Sequence, residues 1–276
     1  MNNYRVSVLM GIYNCAPTLQ EALDSLYAQT FQDFKIILCD DGSKDDTLAI
    51  AERNANEHPE KVIVIKNERN MGLNYTLNHC LEYADTEYCA RMDGDDISMP
   101  ARFEKEIKFL DEHHEYAIVS CAMTYFDENG VFGKSCITKT IPTKETFAYS
   151  TPHCHAPCMV RTSAYKTVGG YTVDKRLLRN EDYNLWMKMY AQGYHGYNIP
   201  EYLYAMRDDR NATARRNIRN RINSIYSVTL AYRTLHFSSI GYLKNIVEQF
   251  VKIIVPTFVY NYFHRKRLNR NNSTGY

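Results

Sequence analysis

The chain has 276 residues, of which 45% are hydrophobic, so it is long enough to bury a substantial core in one large domain. This composition excludes a disordered or fibrous protein. The net charge of +1 hides an asymmetry, because residues 1–202 carry 20 Lys and Arg against 29 Asp and Glu, whereas residues 203–276 carry 13 against 3. The acidic body argues against a nucleic-acid-binding domain, and the basic end favours an anionic surface such as the cytoplasmic leaflet of a membrane.

The cysteines and the apolar segments of the sequence predict the cellular location of the protein. The eight cysteines are scattered, several of them within apolar runs such as 36–39, where a thiol behaves as a small hydrophobic group. A reduced, cytosolic protein is therefore expected. The apolar run 6–12 is too short for a signal-peptide core. Lys244, Glu248 and Lys252 interrupt the best candidate for a membrane span of roughly 18 to 20 apolar residues.

Short apolar runs alternate with longer stretches of helical periodicity in the first third of the chain. The runs are 6–13, 34–39, 62–65 and 88–92, and the helical stretches are 18–29, 47–56 and 73–83. Alternation of this kind predicts an α/β fold with a mostly parallel sheet flanked by helices. In such sheets the ligand binds outside the carboxyl ends of the strands, so the residues directly after each run are candidates for a binding site.

The second half of the domain is less regular. A strand is expected at 117–123, and Asn129-Gly130 between aromatic and β-branched residues predicts a hairpin. A turn-rich stretch, 150–182, ends at Glu181-Asp182, where a helix is expected to begin. We therefore expect a small antiparallel element beside the parallel sheet.

The C-terminal tail is predicted as a separate helical unit. The domain is placed at 1–205, with a first half at 1–100 and a second half at 101–205, and the tail at 206–276. In the tail, residues 213–235 are predicted as a basic helix. Residues 242–255 are predicted as a helix with an apolar face opposite three charged side chains, which is typical of a helix lying in a membrane interface. The alternative is that this helix packs on the domain and that the arginines are solvated or bind a diphosphate.

Three acidic clusters are the candidate functional residues: Asp40-Asp41, Asp93-Gly94-Asp95-Asp96 and Glu181-Asp182. The first two directly follow predicted strands, so their carboxylates are expected at the ligand-binding edge of the sheet. Two carboxylates separated by one residue can share Mg²⁺ or Mn²⁺, which prefer oxygen ligands. Each cluster also has an ordinary explanation, namely a helix cap, a solvated turn and the stabilisation of a helix N-terminus, respectively.

Taken together and in order, these motifs resemble those of the family 2 inverting glycosyltransferases of the GT-A fold. The resemblance covers roughly residues 4–205 and rests on several motifs in register, which makes it more specific than a single acidic pair. One departure is Gly11, where the family more often has Pro or Thr. The segments that carry the resemblance are 6–14, 29–31, 40–43, 46–47, 70–73, 93–96, 100–102 and 181–186.

The resemblance implies a nucleotide site at the carboxyl ends of the first strands. It assigns Tyr13, Asp40 and Asp41 to the nucleobase and ribose, and Asp93 to the ribose or to a metal ion. Asp95 would be the direct ligand of the divalent ion, Mn²⁺ or Mg²⁺, on the donor's diphosphate.

The resemblance also implies that Asp182 is the catalytic base. Inversion at an anomeric carbon needs a carboxylate to take the proton of the acceptor hydroxyl, and a cation to stabilise the charge growing on the diphosphate. The neighbouring Glu181 and a closed site are expected to raise the pKa of Asp182.

Two histidines lie before this base in the sequence. His153 and His155, with Cys154 and Cys158, have the wrong spacing for a structural zinc site. One of the two histidines, or Glu181, could lie near the acceptor or the metal, and the sequence does not decide which.

The function that the resemblance implies is the inverting transfer of a sugar from a nucleotide-diphosphate donor, most simply a UDP-sugar. The acceptor would be a glycan or a lipid-linked glycan in cell-surface polysaccharide synthesis, and the tail would hold the enzyme on the inner face of the cell membrane. One alternative is a catalytically inactive protein that binds sugar nucleotides. Another, a nucleotidyltransferase, would need a Lys-containing glycine-rich loop near the N-terminus, whereas residues 11–18 contain no Lys or Arg.

Overall fold

A computed structural model describes residues 4–135, 139–207, 218–238, 241–243 and 246–247. Its first half is a parallel sheet with strand order β3-β2-β1-β4. Every strand and helix predicted in this half is confirmed, with ends that differ by at most two residues. The elements are β1 (Val6–Ile12), α1 (Ala16–Tyr27), β2 (Phe34–Asp40), α2 (Thr47–Glu57), β3 (Val62–Lys66), α3 (Leu73–Glu82) and β4 (Tyr88–Arg91).

The second half extends the same sheet with mostly antiparallel pairs. Strand β8 pairs antiparallel with β4 and β6, β7 with β6, and β5 with β9, whereas β6 and β9 are parallel. The predicted hairpin is confirmed, with Asp127 opposite Gly130. The elements are β5 (Ile97–Ser98), α4 (Arg102–Glu112), β6 (Ile118–Asp127), β7 (Gly130–Lys134), β8 (Met159–Arg161), α5 (Thr162–Val168), α6 (Glu181–Ala191) and β9 (Gly196–Arg207), with 3₁₀ turns at Lys144–Ala148 and Lys175–Leu177.

Side-chain alternation along the strands divides the core into two layers, one on each face of the sheet. Val8 and Met10 of β1 pack in the layer that contains residues of α1, α2 and α4. Leu9, between them, packs in the layer that contains residues of α3, α5 and α6. This follows from the period of two in a strand, which sends neighbouring side chains to opposite faces. The described cysteines are all free thiols.

Helix α7 (Ile218–Thr234) makes up most of the described part of the predicted tail, and it packs on the body of the protein. Ala231 is fully buried and Leu235 is 5% exposed, both in the core layer that contains α6. Most of the second predicted tail helix, 242–255, lies outside the described residues, although Leu243 and Val247 are described and exposed. Within the described ranges, no helix is long and apolar enough to cross a membrane. The division of the chain at residues 205 and 206 stays a prediction.

Candidate active site

The carboxyl ends of β1, β2 and β4 meet at one edge of the sheet. Ile12 pairs with Asp40, the last residue of β2, and Leu9 pairs with Arg91, the last residue of β4. Tyr13 directly follows β1 and is 45% exposed, so its ring is open to a ligand. The structure therefore brings the residues of the first two acidic clusters to the edge where parallel sheets bind ligands.

The carboxylates of Asp40 and Asp41 are buried and accept hydrogen bonds from backbone amides. Asp40 accepts from Ser43 at 3.1 Å, within the turn that follows β2. Asp41 accepts from Met71 at 2.7 Å and from Gly72 at 2.9 Å, at the start of α3. Both aspartates therefore fix loops at the edge of the site, and their contact with a nucleobase or ribose stays a prediction.

Asp93 is held by a buried arginine. Arg91 is 3% exposed, and its Nη1 and Nη2 donate to the two carboxylate oxygens of Asp93 at 2.8 Å and 2.6 Å. A guanidinium that binds both oxygens of a carboxylate fixes the plane as well as the position of that carboxylate. The arginine therefore orients Asp93 at the mouth of the site.

Asp93, Asp95 and Asp96 form a carboxylate cluster, in which one oxygen from each lies within 4.8 Å of the others. Asp96 is 2% exposed, and it accepts hydrogen bonds from the Tyr204 hydroxyl and the Arg207 backbone amide, both at 2.8 Å. Burial, followed by the negative charges of Asp93 and Asp95, raises the pKa of Asp96 to about 8. Oxygen ligands and concentrated negative charge are what a hard divalent cation requires, so the residues present fit such an ion.

Asp182 lies half-buried in the first turn of α6. Burial and then the charge of Glu181 raise the pKa of Asp182 to about 6, although a backbone hydrogen bond and the positive charge of Arg91 partly oppose the shift. Glu181 Oε2 is itself buried and has no hydrogen-bond partner among the described residues. A carboxylate with this pKa is ionised at neutral pH and is well matched to accept a proton.

With this geometry in place, the comparisons with known proteins decide the family. The model of the family described as "Glycosyl transferase family 2" matches residues 7–169. "Putative glycosyltransferase EpsE" of Bacillus subtilis (strain 168) is 40% identical over 264 residues, which is 96% of this chain and 94% of EpsE. The chain belongs to glycosyl transferase family 2.

Three further comparisons concern the whole length and the fold of this family 2 glycosyltransferase. A protein of Escherichia coli described as "UDP-Gal:alpha-D-GlcNAc-diphosphoundecaprenol beta-1,3-galactosyltransferase" is 29% identical, over 96% of this chain and 97% of the relative. Staphylococcus aureus TarS 1-349, solved in complex with UDP-GlcNAc, has a TM-score of 0.69 at 20% identity, over 89% of this chain and 71% of TarS. The mannosyltransferase PcManGT of Pyrobaculum calidifontis, solved with GDP-Man and Mn²⁺, has a TM-score of 0.65 at 21% identity, over 92% of this chain and 70% of PcManGT. The sheet and its helices thus form the GT-A fold that the sequence predicts.

His153 of the glycosyltransferase belongs to the core. It is 1% exposed, and its two ring nitrogens form hydrogen bonds with Asn198 Oδ1 at 2.8 Å and with the Tyr190 hydroxyl at 3.0 Å. Burial lowers the pKa of His153 to about 4, so the ring is neutral at physiological pH. Both ring nitrogens therefore have hydrogen-bond partners within the protein.

His155 contacts different residues. Its Nε2 forms a hydrogen bond with the Tyr171 hydroxyl at 2.8 Å, and its ring meets the ring of Trp186 edge to face. Burial and then the positive charge of Arg91 lower the pKa of His155 well below its usual value. Of the two histidines, His155 is therefore the one whose pKa is lowered by Arg91, the arginine that binds Asp93.

Sequence reasoning missed several residues that build this site. Asn67 donates from Nδ2 to Asp41 Oδ1 at 2.8 Å and so holds the Asp41 carboxylate in place, yet a lone Asn after a strand carries no signal. Arg91 could have been noticed as a charged residue in an otherwise apolar strand, two positions before Asp93. Tyr204 reaches Asp96 from the distant strand β9, and no local pattern predicts that contact.

Proposed function

We propose that the protein is an inverting, metal-dependent glycosyltransferase that transfers a sugar from a nucleotide diphosphate to a glycan or a lipid-linked acceptor. The observation that carries this proposal is the pairing of two carboxylate sites. One is the cluster of Asp93, Asp95 and Asp96 at the strand ends, and the other is Asp182, which has a pKa of about 6. The positive charge of Arg91, which binds Asp93, also acts on the pKa of Asp182, which supports the assignment of both carboxylate sites to one reaction.

The carboxylate cluster would hold the metal ion. Asp95 and Asp93, which form a cluster with Asp96, would be the ligands of Mn²⁺ or Mg²⁺. When bound, such an ion would supply positive charge for the diphosphate of the donor. Arg91 would keep Asp93 oriented while the donor binds.

Asp182 would accept the proton in the transfer step. The acceptor hydroxyl loses its proton to the carboxylate of Asp182, and its oxygen forms a bond to the anomeric carbon. The bond from that carbon to the diphosphate oxygen breaks, and the electron pair leaves with the diphosphate. Attack from the face opposite the leaving group inverts the anomeric configuration, and it needs only one carboxylate base.

A UDP-sugar is the proposed donor, and an acceptor sugar on a lipid diphosphate is the proposed acceptor. TarS was solved with UDP and with UDP-GlcNAc, and the E. coli relative is described as acting on UDP-Gal and a GlcNAc-diphosphoundecaprenol. Tyr13 would stack on the base, because its exposed ring stands at the end of β1, beside Asp40 and Asp41. PcManGT, solved with GDP-Man, makes GDP-sugars the first competitors to test.

The basic tail would bring the enzyme to the inner face of the cell membrane as a peripheral protein. The excess of 13 basic over 3 acidic residues in 203–276 supports this, as do the exposed side chains of Leu243 and Val247. Truncation after Ser238 is expected to move the protein from the membrane fraction to the soluble fraction and to lower its activity on lipid-linked acceptors. Unchanged partitioning between the two fractions would contradict the membrane role.

Two variants test the proposed function. Asp95→Ala and Asp182→Ala should both abolish sugar transfer, but only Asp182→Ala should retain metal-dependent UDP binding, measured by isothermal titration calorimetry with Mn²⁺. Asp33→Asn is a matched control, because Asp33 is exposed and precedes β2, at the opposite edge of the sheet. Full turnover in either alanine variant would overturn the proposal. UDP-sugar binding by the wild type, without transfer or slow donor hydrolysis, would instead indicate an inactive binding protein.

A further inference from the structure

A cavity of about 270 Å³ lies beside Asp182. It is lined by the residues around the first 3₁₀ turn, by the start of α6 and by one face of α7. Its volume is just below the roughly 300–1,000 Å³ of typical ligand sites, which suits one sugar ring rather than an oligosaccharide. The lining residues are Phe147, Tyr149, Ser150, Thr151, Arg179, Asn180, Asp182, Tyr183, Ser224, Ser227 and Val228.

The chemistry of the cavity suits a sugar. Hydroxyl, amide and guanidinium groups surround it, and Phe147 adds an apolar aromatic surface. Ser150 Oγ is buried in its wall and has no hydrogen-bond partner among the described residues. A buried hydroxyl without a partner costs stability, and a sugar hydroxyl would supply the missing hydrogen bond.

The cavity is separate from the proposed donor site. None of its lining residues belongs to the carboxylate cluster or to the loops after β1 and β2. Asp182 lines the cavity, and the positive charge of Arg91, which binds Asp93, partly opposes the rise in the pKa of Asp182. A hydroxyl group in the cavity could therefore reach Asp182 while the donor occupies the strand ends.

We propose that this cavity binds the acceptor sugar and that α7 forms part of the acceptor site through Ser224, Ser227 and Val228. This inference rests on the proposed function and adds to it the position of the acceptor. Helix α7 would then have a role in the choice of acceptor, because its side chains line one wall of the cavity. The N-terminal part of the predicted tail would thus belong to the active site.

The test uses the full chain and separates acceptor binding from donor chemistry. Ser224→Gln places a longer side chain into the cavity, and Ser150→Ala removes the buried hydroxyl. Ile222→Gln is the matched control, because Ile222 is on the same helix and is 54% exposed. The acceptor probe is GlcNAc α-linked to a short-chain alkyl diphosphate, with UDP-sugars and Mn²⁺ as donors. The measured quantities are the acceptor KM, the donor KM and the rate of donor hydrolysis without acceptor.

The expected result is a rise of at least 10-fold in the acceptor KM for Ser224→Gln and about 5-fold for Ser150→Ala, corresponding to the loss of one hydrogen bond. Donor KM and donor hydrolysis should stay within twofold of the wild type, as should all three quantities in Ile222→Gln. An unchanged acceptor KM in both cavity variants, with normal donor hydrolysis, would overturn the acceptor cavity and leave the proposed function standing. A wild type that neither hydrolyses nor transfers any donor sugar would instead overturn the proposed function. Equal changes in donor and acceptor KM would assign the cavity to the donor.

Discussion

The guanidinium of Arg91 binds both carboxylate oxygens of Asp93, at 2.6 Å and 2.8 Å, in a site where the arginine is 3% exposed. An ion pair with one buried partner is sensitive to the loss of the other partner, because the buried charge is then left without compensation. Its value here is geometric, since it fixes the carboxylate that stands at the end of β4 beside Asp95 and Asp96.

Arg91→Lys tests whether this geometry matters. Lysine keeps the charge but cannot bind both oxygens in one plane, so Asp93 gains rotational freedom. We expect UDP to bind about 10-fold more weakly in the presence of Mn²⁺, which corresponds to about 1.4 kcal/mol. Isothermal titration calorimetry of UDP with Mn²⁺ measures the change, and Arg53→Lys on the exposed face of α2 is the control. An unchanged Kd in Arg91→Lys would show that only the charge of Arg91 is needed.

Glu181→Gln should shift the pH profile of transfer. Burial is the main cause of the raised pKa of Asp182, about 6, and the charge of Glu181 is the next. Removing this like charge lowers the pKa of Asp182, so the base becomes ionised at a lower pH. The acidic limb of kcat/KM should then move to lower pH, while Glu112→Gln on the exposed surface of α4 leaves it in place. A shift in the opposite direction would contradict Asp182 as the base.

Asp182→Asn should stabilise the fold at neutral pH while it removes activity. The folded pKa of about 6 lies above the usual value near 3.8, so ionisation of Asp182 costs stability as pH rises through this interval. The Tm of Asp182→Asn should exceed that of the wild type at pH 7.5. The difference should disappear below about pH 3, where the wild-type carboxyl is protonated in both states. A variant less stable than the wild type at pH 7.5 would show that the charge of Asp182 is compensated in the fold.

His153→Ala should act on stability and not on nucleotide binding. The substitution leaves Asn198 Oδ1 and the Tyr190 hydroxyl without their buried partner, which is expected to cost about 2–4 kcal/mol. Urea unfolding measures this cost, with exposed His114→Ala as the control. UDP binding with Mn²⁺ should be unchanged at temperatures where the variant is folded. A large loss of UDP affinity in the folded variant would show that His153 contributes to the nucleotide site.

The parallel half of the fold could be predicted from sequence because its signals are local. Apolar runs of four to eight residues become β1 to β4, and their ends place Asp40 and Arg91 at the edge of the sheet. The resemblance to family 2 glycosyltransferases then named Asp93, Asp95 and Asp182 in advance. The family is confirmed, whereas the roles of these residues stay predictions.

The rest of the site depends on contacts between distant segments, which no local pattern contains. Asp96 receives hydrogen bonds from Tyr204 and Arg207 of β9, more than 100 positions away in the chain. The two histidines, two positions apart, differ because His153 meets Asn198 and Tyr190 whereas His155 meets Tyr171. The face of α7 that lines the acceptor cavity was also beyond prediction, since packing against α6 decides which side chains it presents.

The anomeric configuration of the product tests the central claim most directly. Slow hydrolysis of a UDP-α-sugar by the enzyme with Mn²⁺ can be followed by ¹H NMR before the free sugar mutarotates, and it needs no acceptor. The account predicts that the β-anomer appears first and that Asp182→Asn abolishes its formation. The α-anomer as the first product, or normal hydrolysis by Asp182→Asn, would contradict an inverting reaction with Asp182 as its base.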